Sequence, residues 1–272
     1  SLGGWGGCET CSPVFATEAG RKEFARSVKR INRYFKTDGI DLDWEYPAIP
    51  GPPGHPYAPE DKQNFTLLIK ALRKALGKNQ EISFAAGGFT KFLNESVEWD
   101  KVVPLVNNIN LMTYDLVHGY STTTGHHTPL YSTPEQIEST DHAVRMLDSM
   151  GVPKNKLVIG AAFYARIFDV EQIANNGLYQ PGKFKTSLSY MWFNKDSLQQ
   201  EGFTYHWDDV AKAPYLFSDA KKQLITLDDE QSVMLKTKYT VQQRLYGIMF
   251  WQLASDKTEN GLLEAINKVL RE

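Results

Sequence analysis

The chain has 272 residues, 42% of them hydrophobic and 23% charged, with 30 Lys+Arg against 32 Asp+Glu. That composition excludes disorder as the main state, and a net charge of -2 gives no electrostatic reason to seek nucleic acid or an anionic membrane. The apolar stretches around Leu157–Ala165 and Ile248–Ala254 fall far short of the roughly 18–20 residues of a membrane-spanning helix. The length suits one large α/β domain or two small ones. An aromatic content of 12% fits a site for flat or ring-shaped ligands.

In chain order, the sequence opens without an initiator Met, a basic segment or an apolar leader, as expected inside a mature protein. A strand end at Ser1–Trp5 leads to Cys8 and Cys11, the two cysteines. They read as a local loop disulfide or unpaired thiols, with redox chemistry and metal binding as alternatives; a lone Cys-x-x-Cys is a poor zinc site, which wants four ligands. The glycine-rich run Gly3-Gly4-Trp5-Gly6-Gly7 lacks the Gly-Lys-Ser/Thr of a phosphate loop and reads as a tight exit from a strand. Phe24, Val28, Ile31 and Phe35 recur at helical spacing and predict a helix over Thr17–Phe35.

A strand over Gly39–Tyr46, a Pro/Gly loop and a helix over Pro59–Leu76 follow. Strand Ile82–Ala86 leads to a weaker helix near Val97–Val106. Strand Ile109–Tyr114, helix Pro134–Met150 and strand Leu157–Tyr164 continue the alternation, and strand Gly247–Leu253 with helix Gly261–Leu270 closes it. Apolar strands alternating with helices mean a parallel sheet covered by helices. Polar residues gather at the strands' C-terminal ends, the catalytic face of a closed (β/α) barrel. A doubly wound open sheet is the rival fold, yet no strand is followed by a dinucleotide fingerprint. From Arg166 to about Leu227 the alternation breaks into a turn-rich stretch with Trp192, Tyr205, Trp207, Tyr215 and Phe217. That is too long for a plain βα loop, so it reads as a small α+β insertion domain over 166–227. Residues 1–165 and 228–272 are then a discontinuous barrel domain.

The strongest signal is Asp38-Gly39-Ile40-Asp41-Leu42-Asp43-Trp44-Glu45-Tyr46-Pro47. On a strand Asp41, Asp43 and Glu45 share one face at a spacing of about 6–7 Å, with Ile40, Leu42 and Trp44 on the other. Crowded like charges push at least one pKa upward and keep a proton available near neutral pH, which suits a general acid. A calcium loop would want glycine at its sixth position, where Tyr46 stands.

This strand resembles the Asp-x-x-Asp-x-Asp-x-Glu signature of family-18 glycoside hydrolases, the chitinases and their relatives. Ser1-Leu2-Gly3-Gly4-Trp5 resembles the family's third strand and Met112-Thr113-Tyr114-Asp115 its sixth. Phe163-Tyr164-Ala165-Arg166 and Phe250-Trp251 resemble the ends of its seventh and eighth, and the 166–227 segment looks like the insertion domain of deep-cleft bacterial-type members. The resemblance implies hydrolysis of β-1,4-linked N-acetylglucosamine polymers such as chitin by substrate-assisted, configuration-retaining catalysis. Under it Glu45 is the acid/base, Asp43 holds the acetamido group, Asp41 is the buried partner of Asp43, and Tyr114 donates to the acetamido oxygen. Asp115 and Arg166 would grip the sugar, Trp251 and Trp5 would stack on it, and Tyr46 and Met112 would line the cleft.

No metal or cofactor is implied. The partners expected are chitin or N-acetylglucosamine oligosaccharides, with neither nucleic acid nor membrane, and the location expected is extracellular. An endo-β-N-acetylglucosaminidase acting on N-glycans and a chitin-binding lectin are the alternatives; lectin members lack the acid, and Glu45 is present. The six histidines show no metal spacing and read as loop residues. Because the Ser-x-Gly-Gly motif begins at Ser1, about six of the eight βα units are expected, an N-terminally truncated barrel lacking some 60 residues or more. Its open edges would favour self-association.

Overall fold

The computed structural model describes residues 1–271. Eleven strands and nine α-helices occur among them. The parallel layer uses β1 (Leu2–Gly3), β2 (Gly39–Asp43), β3 (Glu81–Gly87), β4 (Asn108–Met112), β5 (Leu157–Ala162) and β11 (Gly247–Trp251), in the order β1-β2-β3-β4-β5-β11. Six strands match the number expected from the motifs. A second, five-stranded sheet follows β5: β6 (Tyr164–Val170), β7 (Gly182–Ser189), β8 (Thr204–Asp208), β9 (Ala213–Ser218) and β10 (Gln223–Thr226), in the order β7-β6-β10-β9-β8. The helices are α1 (Cys11–Phe15), α2 (Glu18–Phe35), α3 (Asp61–Leu76), α4 (Thr90–Glu95), α5 (Trp99–Val102), α6 (Thr140–Ser149), α7 (Lys195–Gln200), α8 (Glu230–Gln242) and α9 (Leu262–Leu270). Two compact units divide the chain, 1–111 with 145–158, and 112–144 with 159 onward.

In the first unit β1 pairs in parallel with β2, Leu2 opposite Leu42 and Gly3 opposite Asp43, and β2 pairs in parallel with β3. The apolar alternates of β2 are buried as the pattern requires: Ile40, Leu42 and then Trp44 are all below one-tenth exposed. Trp44 meets Phe15 and Phe65, Phe65 meets Phe84, and Phe84 stacks on Trp99, so an aromatic row backs the carboxylate strand. Thr17 caps α2 by accepting the Gly20 N–H at 3.0 Å, and Lys36 ends it in the left-handed conformation. The buried stripe of α2 is Arg21, Ala25, Val28 and Asn32, whereas Ile31 and Phe35 are exposed. The apolar repeat therefore misplaces the helix face, because small residues and two bonded polar side chains fill the contact. The weak helix near Val97–Val106 is short α5 followed by a 3-10 turn at Val103–Leu105, where Pro104 cannot continue the donor ladder.

In the second unit one core joins Ala161 and Phe163 to the antiparallel sheet through Ala165, Leu216 and Ile225, and to α8 and α9 through Val233, Leu262 and Ile266. Phe163 and Phe250 stack with ring centroids 4.3 Å apart. Tyr215 and Phe217 of the inserted sheet are 7% and 3% exposed, so these two aromatic residues build its interior rather than a ligand surface. Tyr164 opens β6 rather than closing β5. His126 and His127 lie in a loop, as expected, and are buried there: the His126 ring bonds to Asp208 and the His127 N–H donates to Thr226.

Candidate active site

In the first unit the carboxylates stand at and just past the end of β2. Asp41 accepts three side-chain hydrogen bonds, from Ser83 Oγ at 2.7 Å, Asn110 Nδ2 at 2.9 Å and Ser1 Oγ at 2.9 Å. Ser83 and Asn110 sit on β3 and β4, each between apolar residues. Asp43 is different: its Oδ1 is buried without a hydrogen-bond partner. Burial, and after it the charge of Asp41, push the Asp43 carboxyl up to about 6. One carboxylate is thus held by donors while its neighbour is left with an available lone pair and a proton equilibrium near neutrality.

The glycine pair after Leu2 explains how β1 approaches this group. Gly3 and Gly4 have φ of 118° and 94°, and the Gly4 N–H donates to the Asp43 carbonyl at 2.7 Å. A Cβ on Gly3 would lie 2.1 Å from that carbonyl oxygen, so only glycine fits. The turn closes with the Cys8–Cys11 disulfide, which decides between the readings of the two cysteines. Trp5 on this turn is 52% exposed, and its ring lies 6.3 Å from that of Tyr46, which in turn meets Phe89 and Phe92 at 5.5 Å. Glu45 lies two residues beyond β2 and is 9% exposed. The strand expected over Gly39–Tyr46 ends at Asp43, so Glu45 is set by the following loop, where Gly51 packs on its carbonyl.

In the second unit the segment after β4 carries Thr113, Tyr114 and Asp115, the last at φ 55°. Arg166 grips Asp115 through Nε to Oδ1 at 2.7 Å and Nη2 to Oδ2 at 2.6 Å, and gives Nη1 to Ser187 Oγ at 3.1 Å. Its guanidinium also sits over the rings of Tyr164 and Phe184. His127 Nδ1 lies 3.6 Å from Asp115 Oδ1, an electrostatic contact longer than a hydrogen bond. Burial alone would raise the Asp115 carboxyl; His127 and Arg166 overcome it and hold the group well below the usual carboxylate range. Burial keeps the His127 imidazole below its ordinary value, against the pull of the Asp115 carboxylate. Tyr114 packs edge-on against Tyr164 and its hydroxyl reaches Met249 Sδ at 3.9 Å. Met112 is 8% exposed, and Trp251, at the end of β11, is 51% exposed.

The structure therefore gathers Trp5, Asp41, Asp43 and Tyr46 at one strand end of the first unit, with Glu45 two residues further along. It gathers Tyr114, Asp115 and Arg166 at another in the second. Residues overlooked in the sequence are Ser83 and Asn110, which hold Asp41, and His127, which lies beside Asp115. The first two were signalled by polar residues alternating with apolar ones in Glu81–Phe84 and Asn108–Leu111. His127 had no such signal. Among the described residues no group of three or more His, Cys, Asp or Glu side chains is arranged to hold a metal ion.

Residues 1–256 match the family described as glycosyl hydrolases family 18, and the chain belongs to that family. Its α/β fold is that of the family's (β/α) barrels, with an antiparallel insertion before the last strand. It is 35% identical to Chitinase A1 of Niallia circulans over 95% of this chain, of which it spans 40%. It resembles the solved structure of chitinase ChiA74 from Bacillus thuringiensis with a TM-score of 0.90 and 33% identity, covering 99% of this chain and 49% of that one. A family-18 N-acetylglucosaminidase from Paenibacillus barengoltzii gives a TM-score of 0.87 and 36% identity, covering 98% of this chain and 80% of that one. The chain thus spans less than half of the first two relatives. No helix among the described residues is long and apolar enough to cross a membrane.

Proposed function

We propose that this chain hydrolyses β-1,4-linked N-acetylglucosamine polymers, with Glu45 as acid/base and the substrate's own acetamido group as nucleophile. The observation that carries the reading is the unequal treatment of two neighbouring carboxylates. Asp41 accepts bonds from three donors, while Asp43 Oδ1 is buried and unpartnered. A buried acceptor without a donor is costly, and an amide N–H delivered by a ligand would satisfy it. The names borne by the relatives, chitinase and N-acetylglucosaminidase, agree with a ligand carrying that amide.

In this mechanism Glu45 donates its proton to the glycosidic oxygen as the C1–O bond breaks. The acetamido oxygen forms a bond to C1, giving a cyclic oxazolinium ion with its charge near the Asp43 carboxylate. Asp43 accepts the acetamido N–H throughout, which orients the nucleophile. Glu45, now a carboxylate, takes a proton from water as that water attacks C1, and two displacements at C1 retain the configuration. Tyr114 would donate to the acetamido oxygen. Asp115 is already occupied by Arg166, so the pair would present the free edges of a fixed clamp to sugar hydroxyls. Exposed Trp5 and Trp251 suit stacking on pyranose rings. Such a polymer-degrading role places the protein outside the cell.

The test is incubation with N-acetylglucosamine oligomers of two to six units, resolving products by length and first-formed anomer. Short oligomers released as the β-anomer support the reading. Cleavage of N-glycan cores instead would support the endo-β-N-acetylglucosaminidase alternative, and binding without cleavage the lectin.

A further inference from the structure

Lys236 is fully buried, an unusual place for a lysine, and so is its partner Asp228. The ammonium donates to Asp228 Oδ2 at 2.6 Å and to Thr128 Oγ1 at 2.5 Å. Asp228 also accepts from the Ala162 N–H at 2.9 Å, at the end of β5, and from Ser232 Oγ at 2.7 Å in the first turn of α8. A buried ion pair is weak evidence for stability, since its desolvation offsets its attraction. The geometry gives it another use.

Thr128 has one hydroxyl proton and two acceptors in reach, the Thr113 carbonyl and Asp228 Oδ2, both at 3.1 Å. Oδ2 already receives two shorter bonds, and the ammonium occupies a lone pair of Thr128 Oγ1. The proton is therefore directed to Thr113. Next to Thr128, the His127 carbonyl accepts the Leu116 N–H at 3.0 Å, and the His127 ring abuts Asp115. Segment 127–128 thus grips segment 113–116 at both ends, and Tyr114 and Asp115 lie between the grips.

We infer that Lys236 and Asp228 are positioning residues: through Thr128 they fix the 113–116 turn and so aim the Asp115–Arg166 clamp. The effect on catalysis rests on the proposed hydrolase reading; the effect on the clamp does not. The experiment separates them by following the Arg166 Nε–H signal in a 15N-resolved NMR spectrum, assigned by its loss in Arg166→Lys, and by measuring affinity for the N-acetylglucosamine tetramer. Asp228→Asn with Lys236→Met removes both charges at similar volume, and Thr128→Val is a milder variant should the pair fail to fold. The expected result is hydrogen exchange at Arg166 Nε at least tenfold faster while backbone amides of the inserted sheet keep wild-type protection. Thr128→Val should also weaken the tetramer several-fold in the wild-type background and leave it unchanged in Arg166→Ala. Unchanged exchange at Arg166 in a folded variant would overturn the inference. A wild-type protein that binds no tetramer would count against the hydrolase reading alone.

Discussion

Arg166 and Asp115 face each other as fork and carboxylate, with paired bonds of 2.7 and 2.6 Å across 51 residues of sequence. Two parallel charge-assisted bonds fix an orientation that one ammonium cannot reproduce. Arg166→Lys should therefore cost about 1–3 kcal/mol of stability and reduce oligosaccharide affinity, checked by thermal unfolding and titration calorimetry. The sign with pH follows from Asp115, whose native carboxyl is held below its unfolded value. Its contribution is fully present above about pH 4 and is lost as pH falls through the depressed native value. Wild-type protein should accordingly outlast Arg166→Lys most clearly near pH 5–7, with the difference shrinking in strong acid.

The Asp43 carboxyl stands near 6 because of burial and the adjacent Asp41. In the proposed mechanism Asp43 must be ionised to balance the positive charge that develops on the acetamido group, so kcat/KM should fall as pH drops through about 6. Asp41→Asn removes the neighbouring charge and should move this acid limb to lower pH while keeping a hydrogen-bonding side chain beside Ser83 and Asn110. A pH–rate profile of both proteins checks it; an unmoved limb assigns the titration to another group.

Much of this site was legible in the sequence because strand periodicity is simple. Asp41 and Asp43 alternate with Ile40 and Leu42, and the structure buries the apolar pair as that alternation demands. Helix α8 was not legible. Its buried face is Ser232, Val233, Lys236, Thr237, Tyr239 and Thr240, mostly polar, so no apolar repeat announces it. The same holds for His126 and His127, whose partners Asp208 and Thr226 lie about 80 and 100 residues further along the chain. Local pattern reports what a segment does with its own apolar face; polar contacts formed at long range leave no local trace.

The Gly3 position tests how tightly β1 is pressed to the carboxylate strand. Gly3→Ala places a methyl against the Asp43 carbonyl at a left-handed φ, whereas a Cβ on Gly6, also at positive φ, meets nothing within 4 Å. Both should lose the roughly 1–3 kcal/mol of a strained backbone, but Gly3→Ala should lose more and should also impair turnover. Equal unfolding temperatures for the two variants would contradict the close approach.

The Cys8–Cys11 bond closes a small loop that carries no part of the carboxylate strand but begins three residues after Trp5. Closing so short a loop constrains the unfolded chain by about 2 kcal/mol. Cys8→Ser with Cys11→Ser should lower stability by that amount and weaken long oligomers more than it slows hydrolysis, read from KM against kcat on hexamer. A fall in kcat at constant KM would show that the loop acts on the chemistry instead.

The central claim is that Glu45 supplies the proton and the substrate supplies the nucleophile. The direct measurement is the rate of N-acetylglucosamine tetramer cleavage by wild type and Glu45→Gln, beside the wild-type rate on a cello-oligosaccharide of equal length. The amide keeps the shape of the side chain but removes the proton, so turnover should fall by ~10²–10⁴, about 3–5 kcal/mol in the barrier, with tetramer affinity retained. The cello-oligosaccharide, which lacks the acetamido group, should not be cleaved. Wild-type-like turnover by Glu45→Gln, or cleavage of the cello-oligosaccharide, would contradict the mechanism.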